Sequence, residues 1–362
     1  MTIRYGLVGA GMMGQEHISN IKLLPDTEIA AIVEPDPAMR QRAMEMAGTA
    51  IPYDQLSDLL SAGTCDAFVI AAPNDLHHDL LLQLLPANKP VLVEKPLCTT
   101  VNQCKRVIAA ARTAAPVWVA MEYRYMLPLV RLRETLDQGI AGDPVMLSIR
   151  EHRFPFLPKV GDWNRFNRRT GGTMIEKCCH FWDLMRLLLN SEPVRVFASA
   201  GVDVNHLDER YDGRTPDIID NGFVVIDFAN GTRGMLDLCM FAEGGNWQEI
   251  VAVTGPKAEI TARIPGPARF AAPGAPNIGE IEVAHRGAGQ VDVEALPVPD
   301  HILHAGDHYG STYFQHLEFL QLVRGERARP QVTLRDGLWS VMVGEAAGES
   351  ARTGQAVEIT AP

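Results

Sequence analysis

A chain of 362 residues is long for one compact core, so two domains are the expectation. With 46% hydrophobic and 21% charged residues the composition is that of an ordinary folded protein. A net charge of -11 argues against nucleic acid or an anionic membrane surface as a partner.

In chain order, residues 3–8 read as a strand and 13–24 as a helix stopped by Pro25-Asp26. A second strand at 28–33 leads to a helix at 38–47 closed by Gly48. Strands at 67–71 and 90–93 precede helices at 75–85 and 101–111, and 117–120 closes the series. Continuous apolar strands alternating with helices indicate a parallel sheet covered on both faces. Right-handed crossovers make that sheet doubly wound. The chain opens on this strand pattern without a basic segment and long apolar run, and no apolar stretch approaches a membrane span. The expectation is a cytoplasmic protein.

Past residue 122 the texture changes. A helix at 128–138 ends at Gly139 and is followed by longer strand-like segments at 145–150, 194–204, 222–228, 232–241 and 248–254. Turns such as Asn230-Gly231 and Gly255-Pro256 join them. One helix pattern, 174–189, lies between the first two, and 265–276 reads as a surface loop rich in Pro, Gly and Ala. Helices at 313–323 and 336–350 close the chain. The class is α/β, with a doubly wound domain at 1–122 and an α+β domain with a mostly antiparallel sheet at 123–362. The C-terminal helix can pack back on the first domain.

Gly9-Ala10-Gly11-Met12-Met13-Gly14 has the form GxGxxG between the first strand and the first helix. There Gly9 permits the tight turn, Gly11 admits a pyrophosphate, and Gly14 lets helix and strand pack closely, as in a Rossmann dinucleotide-binding domain. The anion sits on the N-terminus of the helix that Met12 and Met13 begin. Glu34, about twenty positions beyond Gly14, ends the second strand where an acid takes the ribose hydroxyls. A carboxylate there repels a 2′-phosphate and no base follows before Arg40, so NAD is favoured over NADP. Pro73 and Asn74 follow the strand at 67–71 and face the crevice; Asn74 either meets the ligand or caps the next helix. Of the adjacent His77 and His78, at most one points into the cleft. Glu94-Lys95-Pro96 ends the strand at 90–93, where Lys95 either has a depressed pKa or serves as a fixed donor to a substrate oxygen.

Taken together, these motifs make the chain resemble the glucose–fructose oxidoreductase / inositol 2-dehydrogenase family along essentially its whole length. The resemblance implies NAD or NADP, an open sheet in the second domain, and oxidation of a sugar or cyclitol hydroxyl. It makes Lys95 the active-site lysine, and Glu94 and His77 cofactor contacts. It also picks out a second signature, residues 171–183, in which an acid stands four positions before a histidine: Glu176 and His180. That spacing places both on one helical face. The family more often has Asp at the first place, and small apolar residues where this chain has Lys177, Cys178 and Cys179. His180 is the candidate general base, since an imidazole titrates near neutrality. Adjacent residues on a helix diverge too far for Glu176, Cys178, Cys179 and His180 to hold zinc, and no metal is expected.

By the same resemblance residues 122–125 line the cleft, where Arg124 contacts cofactor or substrate, or else forms an interdomain salt bridge. His308 is a candidate substrate ligand. Trp163, with Asp162, Asn164 and Arg165 around it, offers a stacking face and donors at a sugar-binding rim. The expected reaction is reversible hydride transfer between NAD and a ring or anomeric carbon, with His180 as base, Lys95 as donor to the same oxygen, and Glu176 polarising one of them. The rivals are a glycosidase that uses NAD transiently and a catalytically silent sugar sensor. A homodimer or homotetramer is expected, because the second sheet's outer face needs cover. The six cysteines lack zinc-ribbon or CxxC spacing and are expected to be free thiols.

Overall fold

The computed structural model describes residues 2–362. Its first sheet contains β1 (Ile3–Val8), β2 (Thr27–Val33), β3 (Ile51–Tyr53), β4 (Ala67–Ile70), β5 (Val91–Glu94) and β6 (Val117–Ala120). All pair in parallel in the order β3-β2-β1-β4-β5-β6. Strand order reverses between β1 and β4, so the carboxyl ends of these two strands open a crevice. β3 was not expected; it has three residues, one a proline, on the sheet edge, where a missing N–H is tolerated.

The second sheet has nine strands: β7 (Met146–His152), β8 (Pro193–Gly201), β9 (Asn221–Phe228), β10 (Arg233–Cys239), β11 (Glu249–Thr254), β12 (Ala258–Ile264), β13 (Gly279–His285), β14 (Gln290–Leu296) and β15 (Val357–Glu358). Their order is β14-β13-β12-β11-β7-β10-β9-β8-β15, with β7 and β10 parallel and the other neighbours antiparallel. The class is therefore α/β with a mixed, mostly antiparallel second sheet, as expected, while β12, β13, β14 and β15 are additions to it.

The strands alternate as a one-sided sheet must. In β9, Val224, Ile226 and Phe228 are buried while Phe223 and Val225 face outward. The buried rows pack on the helix Cys179–Leu189, whose Phe181, Trp182, Met185 and Leu188 belong to the same core. A fully buried side chain of this size stabilises by about 1.5–3 kcal/mol. Trp182 also donates its Nε1–H to the Met174 carbonyl at 2.8 Å.

The C-terminal helix Leu334–Thr353 begins at a capping box formed by Thr333 and Asp336. It spans both cores: Leu338 and Val341 pack with the first domain, Val343 and Ala347 with the second. Among the described residues no helix is long and apolar enough to cross a membrane, and all six cysteines are free.

Candidate active site

The glycine loop is built by close approach. Gly9 has φ +95°, and a Cβ there would fall 2.6 Å from the Ala71 carbonyl carbon. A Cβ on Gly14 would fall 2.3 Å from the Gly9 carbonyl oxygen. At Gly11 a Cβ would meet nothing within 4 Å, so this glycine faces the open cleft. The cleft, about 850 Å³, is lined by Gly9, Gly11, Met12, Met13, Glu34, Pro73, Asn74, Glu94, Lys95 and Trp163. Glu34 accepts from the Ala10 N–H at 2.8 Å and the Asp36 N–H at 2.9 Å, which fixes its carboxylate at the cleft. Arg40 is committed to the Glu34 carbonyl and to Asp54. An open glycine face at a helix N-terminus, with an acid at the end of β2, fits a dinucleotide.

Two expected cofactor contacts lie differently. Asn74 lines the cleft but does not cap a helix; its Nδ2 donates 3.2 Å across to the Thr170 carbonyl. His77 is buried behind the cleft, its ring nitrogens 2.8 and 3.0 Å from the Pro96 and Ala72 carbonyls. It ties the loop after β4 to the loop after β5.

Behind the cleft wall, against Lys95, the expected single helix 174–189 is broken into Thr173–Glu176 and Cys179–Leu189. Glu176 and His180 are buried there, and neither they nor Glu122 and His308 are among the cleft-lining residues. The Cys178 N–H donates to the Thr173 carbonyl, a five-residue turn wider than an α-turn and of a kind frequent at functional sites. Glu176 and His180 therefore do not share one regular helical face. The break turns the Glu176 carbonyl toward other donors: Lys95 Nζ at 3.3 Å and Cys179 Sγ at 3.4 Å. The Glu176 carboxylate stands 3.5 Å from Lys159 Nζ, and its second oxygen has no protein partner. Lys159 in turn lies 4.5 Å over the Trp163 ring.

His180 stacks on Tyr123, centroids 4.2 Å apart and planes 12° from parallel. Its Nε2 is 3.6 Å from Glu122 Oε1 and its Nδ1 is buried without a partner. Burial, reinforced by the charges of Lys95 and Lys177, holds this imidazole well below the usual histidine range. Burial opposes the charge on Lys95 also, but Cys179, Glu122, Glu176 and Glu94 outweigh it and raise the ammonium's pKa, so the depressed pKa expected from sequence is not found. At neutral pH the site thus pairs an uncharged imidazole with a charged lysine.

Three acids and a second histidine complete the environment. Glu122 has neither oxygen hydrogen-bonded; burial, then the charge of Glu94, pushes it up to about 7. Glu94 is burdened by burial, but its 2.9 Å contact with His17 Nε2 and the Lys95 charge bring it below the usual range. His308 Nδ1 is 2.8 Å from Glu16 Oε1, and its Nε2 is 3.9 Å from Glu122. Burial works against the His308 cation, yet Glu16 raises it to about 9, and His308 in turn helps bring Glu16 to about 2.

Arg124, expected at the cleft, is not among its lining residues. Its guanidinium makes two 2.5 Å contacts with buried Asp183 and a 2.9 Å bond to the Gln331 carbonyl, a buried salt bridge whose partners, like Arg124 itself, all lie beyond residue 122. Asn164 and Arg165 turn away to Leu157, Phe156 and Glu209, so of the expected rim Trp163 alone reaches the cleft. Sequence reasoning missed Glu122, Glu16 and Lys159. Glu122 stood inside a segment already assigned to the cleft; Glu16 and Lys159 carried no signal beyond their charge. Among the described residues no group of three or more His, Cys, Asp or Glu is placed to hold a metal.

Comparison with known proteins agrees with the fold of both domains. The model of the Gfo/Idh/MocA oxidoreductase family, NAD-binding Rossmann fold, matches residues 3–122, and that family's C-terminal alpha/beta domain matches 133–359. The chain belongs to this oxidoreductase family, and its first domain is an NAD-binding Rossmann domain. It is similar to an inositol 2-dehydrogenase of Rhizobium meliloti (strain 1021), 28% identical over 265 residues, 72% of this chain and 76% of the relative. A myo-inositol 2-dehydrogenase of Thermotoga maritima is 24% identical over 359 residues, 99% of this chain and 98% of the relative. A levoglucosan dehydrogenase solved with NADH and levoglucosan superposes with TM-score 0.83 over 100% of both chains, at 19% identity, a likeness of fold.

Proposed function

We propose that this protein oxidises a secondary hydroxyl of a neutral sugar or cyclitol, with NAD held in the cleft by Gly9, Gly11, Met12, Gly14, Glu34, Pro73 and Asn74. The observation that carries the reading is a set of buried polar atoms without protein partners beside the Lys95 ammonium: both oxygens of Glu122, Glu176 Oε2 and His180 Nδ1. Unpaired buried polar atoms are costly, and a polyhydroxylated ligand supplies the missing partners.

His180, neutral at physiological pH, takes the hydroxyl proton. Lys95 donates a hydrogen bond to the same oxygen and stabilises the negative charge that develops there. Its ammonium is aimed by the Glu176 main-chain carbonyl. The Glu176 carboxylate and Lys159 bind neighbouring hydroxyls, and Trp163 offers a face for the ring. Glu122, between His180 and His308, accepts from a hydroxyl or from the newly protonated imidazole. A nicotinamide dinucleotide held by the glycine loop and Glu34 would supply the hydride acceptor needed for the carbon to become a carbonyl. Relatives named inositol 2-dehydrogenase and a fold neighbour holding NADH with levoglucosan support this substrate class.

The second sheet's outer face supports self-association into a dimer or tetramer. Phe197, Val225 and Met235 are register neighbours across β8, β9 and β10 and are all exposed.

The test is a panel of monosaccharides, cyclitols and glycosides incubated with purified protein and NAD. Stoichiometric NADH and ketone or lactone are expected from at least one member. Release of sugar from a glycoside without net NADH would instead establish the glycosidase, and saturable binding without turnover the sensor.

A further inference from the structure

Lys177 has no part in the proposed reaction, yet its side chain is only 4% exposed. A lysine so buried is rare unless paired. The wide turn between Thr173 and Cys178 carries it toward the inner face of the second sheet. There its Nζ donates to Tyr123 Oη at 2.5 Å and lies 2.7 Å from Glu151 Oε1. Tyr123 Oη donates to Glu249 Oε1 at 3.1 Å, and Gln248 Nε2 donates to the same oxygen at 2.6 Å.

Glu151 on β7 and Glu249 on β11 are register partners, both buried, a like-charged pair that a sheet disfavours. Leu147, Ile149, Val251 and Val253 fill the neighbouring inward positions of these strands. Well-packed apolar side chains in place of a buried ionic cluster are often as stable as the cluster or more so, so stability is a weak explanation for it. What the cluster holds is the Tyr123 phenol, gripped between a donor and an acceptor, and the Tyr123 ring is the surface on which the His180 imidazole stacks.

We propose that Lys177 is a positioning residue for His180: with Glu249 it clamps the Tyr123 hydroxyl, and the clamped ring fixes the plane of the imidazole. The proposal rests on His180 being the base. A proton-transfer group is effective only within a narrow range of distance and angle, and stacking alone leaves a ring free to slide. Lys177 faces Glu151 and Arg153 from β7 and the residue just beyond it, Glu249 from β11, and Tyr123. His180 faces Lys95, Glu122, His308, Arg153 and Lys177 itself. Removing the Lys177 charge therefore changes the field at the base as well as its orientation.

The test compares Lys177→Met and Tyr123→Phe with the parent across pH, in the parent and in a His180→Ala background. Each is expected to lower kcat roughly 10- to 100-fold while leaving NADH binding by fluorescence unchanged. Lys177→Met also moves the acid limb of kcat to higher pH; Tyr123→Phe, which keeps the ammonium, does not. In the His180→Ala background neither substitution lowers the residual rate further, because both act through the missing imidazole. A lowered Tm with kcat and its pH profile unchanged would reduce Lys177 to a counter-charge for Glu151 and Glu249 and overturn the proposal. An equal loss in the His180→Ala background would do the same. If Lys177→Met does not fold, Lys177→Met/Glu151→Gln removes the stranded carboxylate with the ammonium, and Tyr123→Phe removes a single oxygen. Full kcat in His180→Ala itself would overturn the base assignment and this proposal together, whereas its loss beside unaffected Lys177→Met and Tyr123→Phe would overturn this proposal alone.

Discussion

His308 shows how a single part-buried contact ties stability to pH. Its folded-state pKa, raised to about 9 by Glu16 against the cost of burial, lies above the ordinary value of about 6.5. The folded chain binds that proton more tightly, so the contribution is complete below pH about 6.5 and is lost as pH rises through about 9. Glu16, lowered to about 2, contributes above pH about 4.5 and loses its share as pH falls toward 2. Thermal unfolding of parent and His308→Gln should therefore differ most between pH about 4.5 and 6.5 and converge toward pH 9 and above. A difference that grows with alkaline pH would contradict the pairing. Glu34 sets a second expectation. Its carboxylate, fixed by the Ala10 and Asp36 amides, faces the adenosine end of the cleft while Arg40 is held by Asp54. NAD should be preferred, and a tenfold advantage for NADP in kcat/KM, about 1.4 kcal/mol the other way, would refute it.

Glycines separate roles within one loop. Gly14→Ala pushes a Cβ to 2.3 Å from the Gly9 carbonyl oxygen, so loop and helix must move apart. Overpacking of this kind costs about 1–3 kcal/mol, and Tm and NAD affinity should fall together. Gly11→Ala meets no protein atom within 4 Å, so Tm should stay while NAD affinity falls. Equal affinity in Gly11→Ala would move the pyrophosphate elsewhere. This loop was legible in sequence because its chemistry is local, in a fixed spacing between a strand and a helix. The strands of the first sheet other than the exposed edge strand β3 were legible for a similar reason, being largely buried and continuously apolar. The broken helix was not legible: residues 174–189 carry an uninterrupted helical pattern, and the widening depends on Lys177 finding Glu151 and Tyr123, far away in the chain. β13 and β14 alternate in sequence as strands should, but β14 at the sheet edge is exposed on both faces, Val291 and Val293 included, so no buried row marked it beside the Pro-Gly-Ala loop. Arg124 was undecided because its partner Asp183 lies on a distant helix.

The whole molecule carries a face that its own chain leaves open. Phe223 is 60% exposed, and Phe197, Val225 and Met235 form a row across three strands. Light scattering at micromolar concentration should give a dimer or tetramer, and Phe223→Asp/Val225→Asp should shift it toward monomer; a strictly monomeric parent would contradict this. The two domains are joined through the helix Leu334–Thr353, and Lys95 Nζ donates to the Glu176 carbonyl, so the cleft and the Glu176–His180 segment are held against each other. In the proposed reaction that junction serves to bring a neutral imidazole and a charged lysine onto one hydroxyl. The most direct test is NADH formation by His180→Ala across pH, on whichever sugar or cyclitol the parent oxidises. A fall in kcat of roughly 10²–10⁴ with NAD affinity retained is expected. A kcat within about threefold of the parent, with its pH profile intact, would contradict the role of His180 and move the base to Lys95.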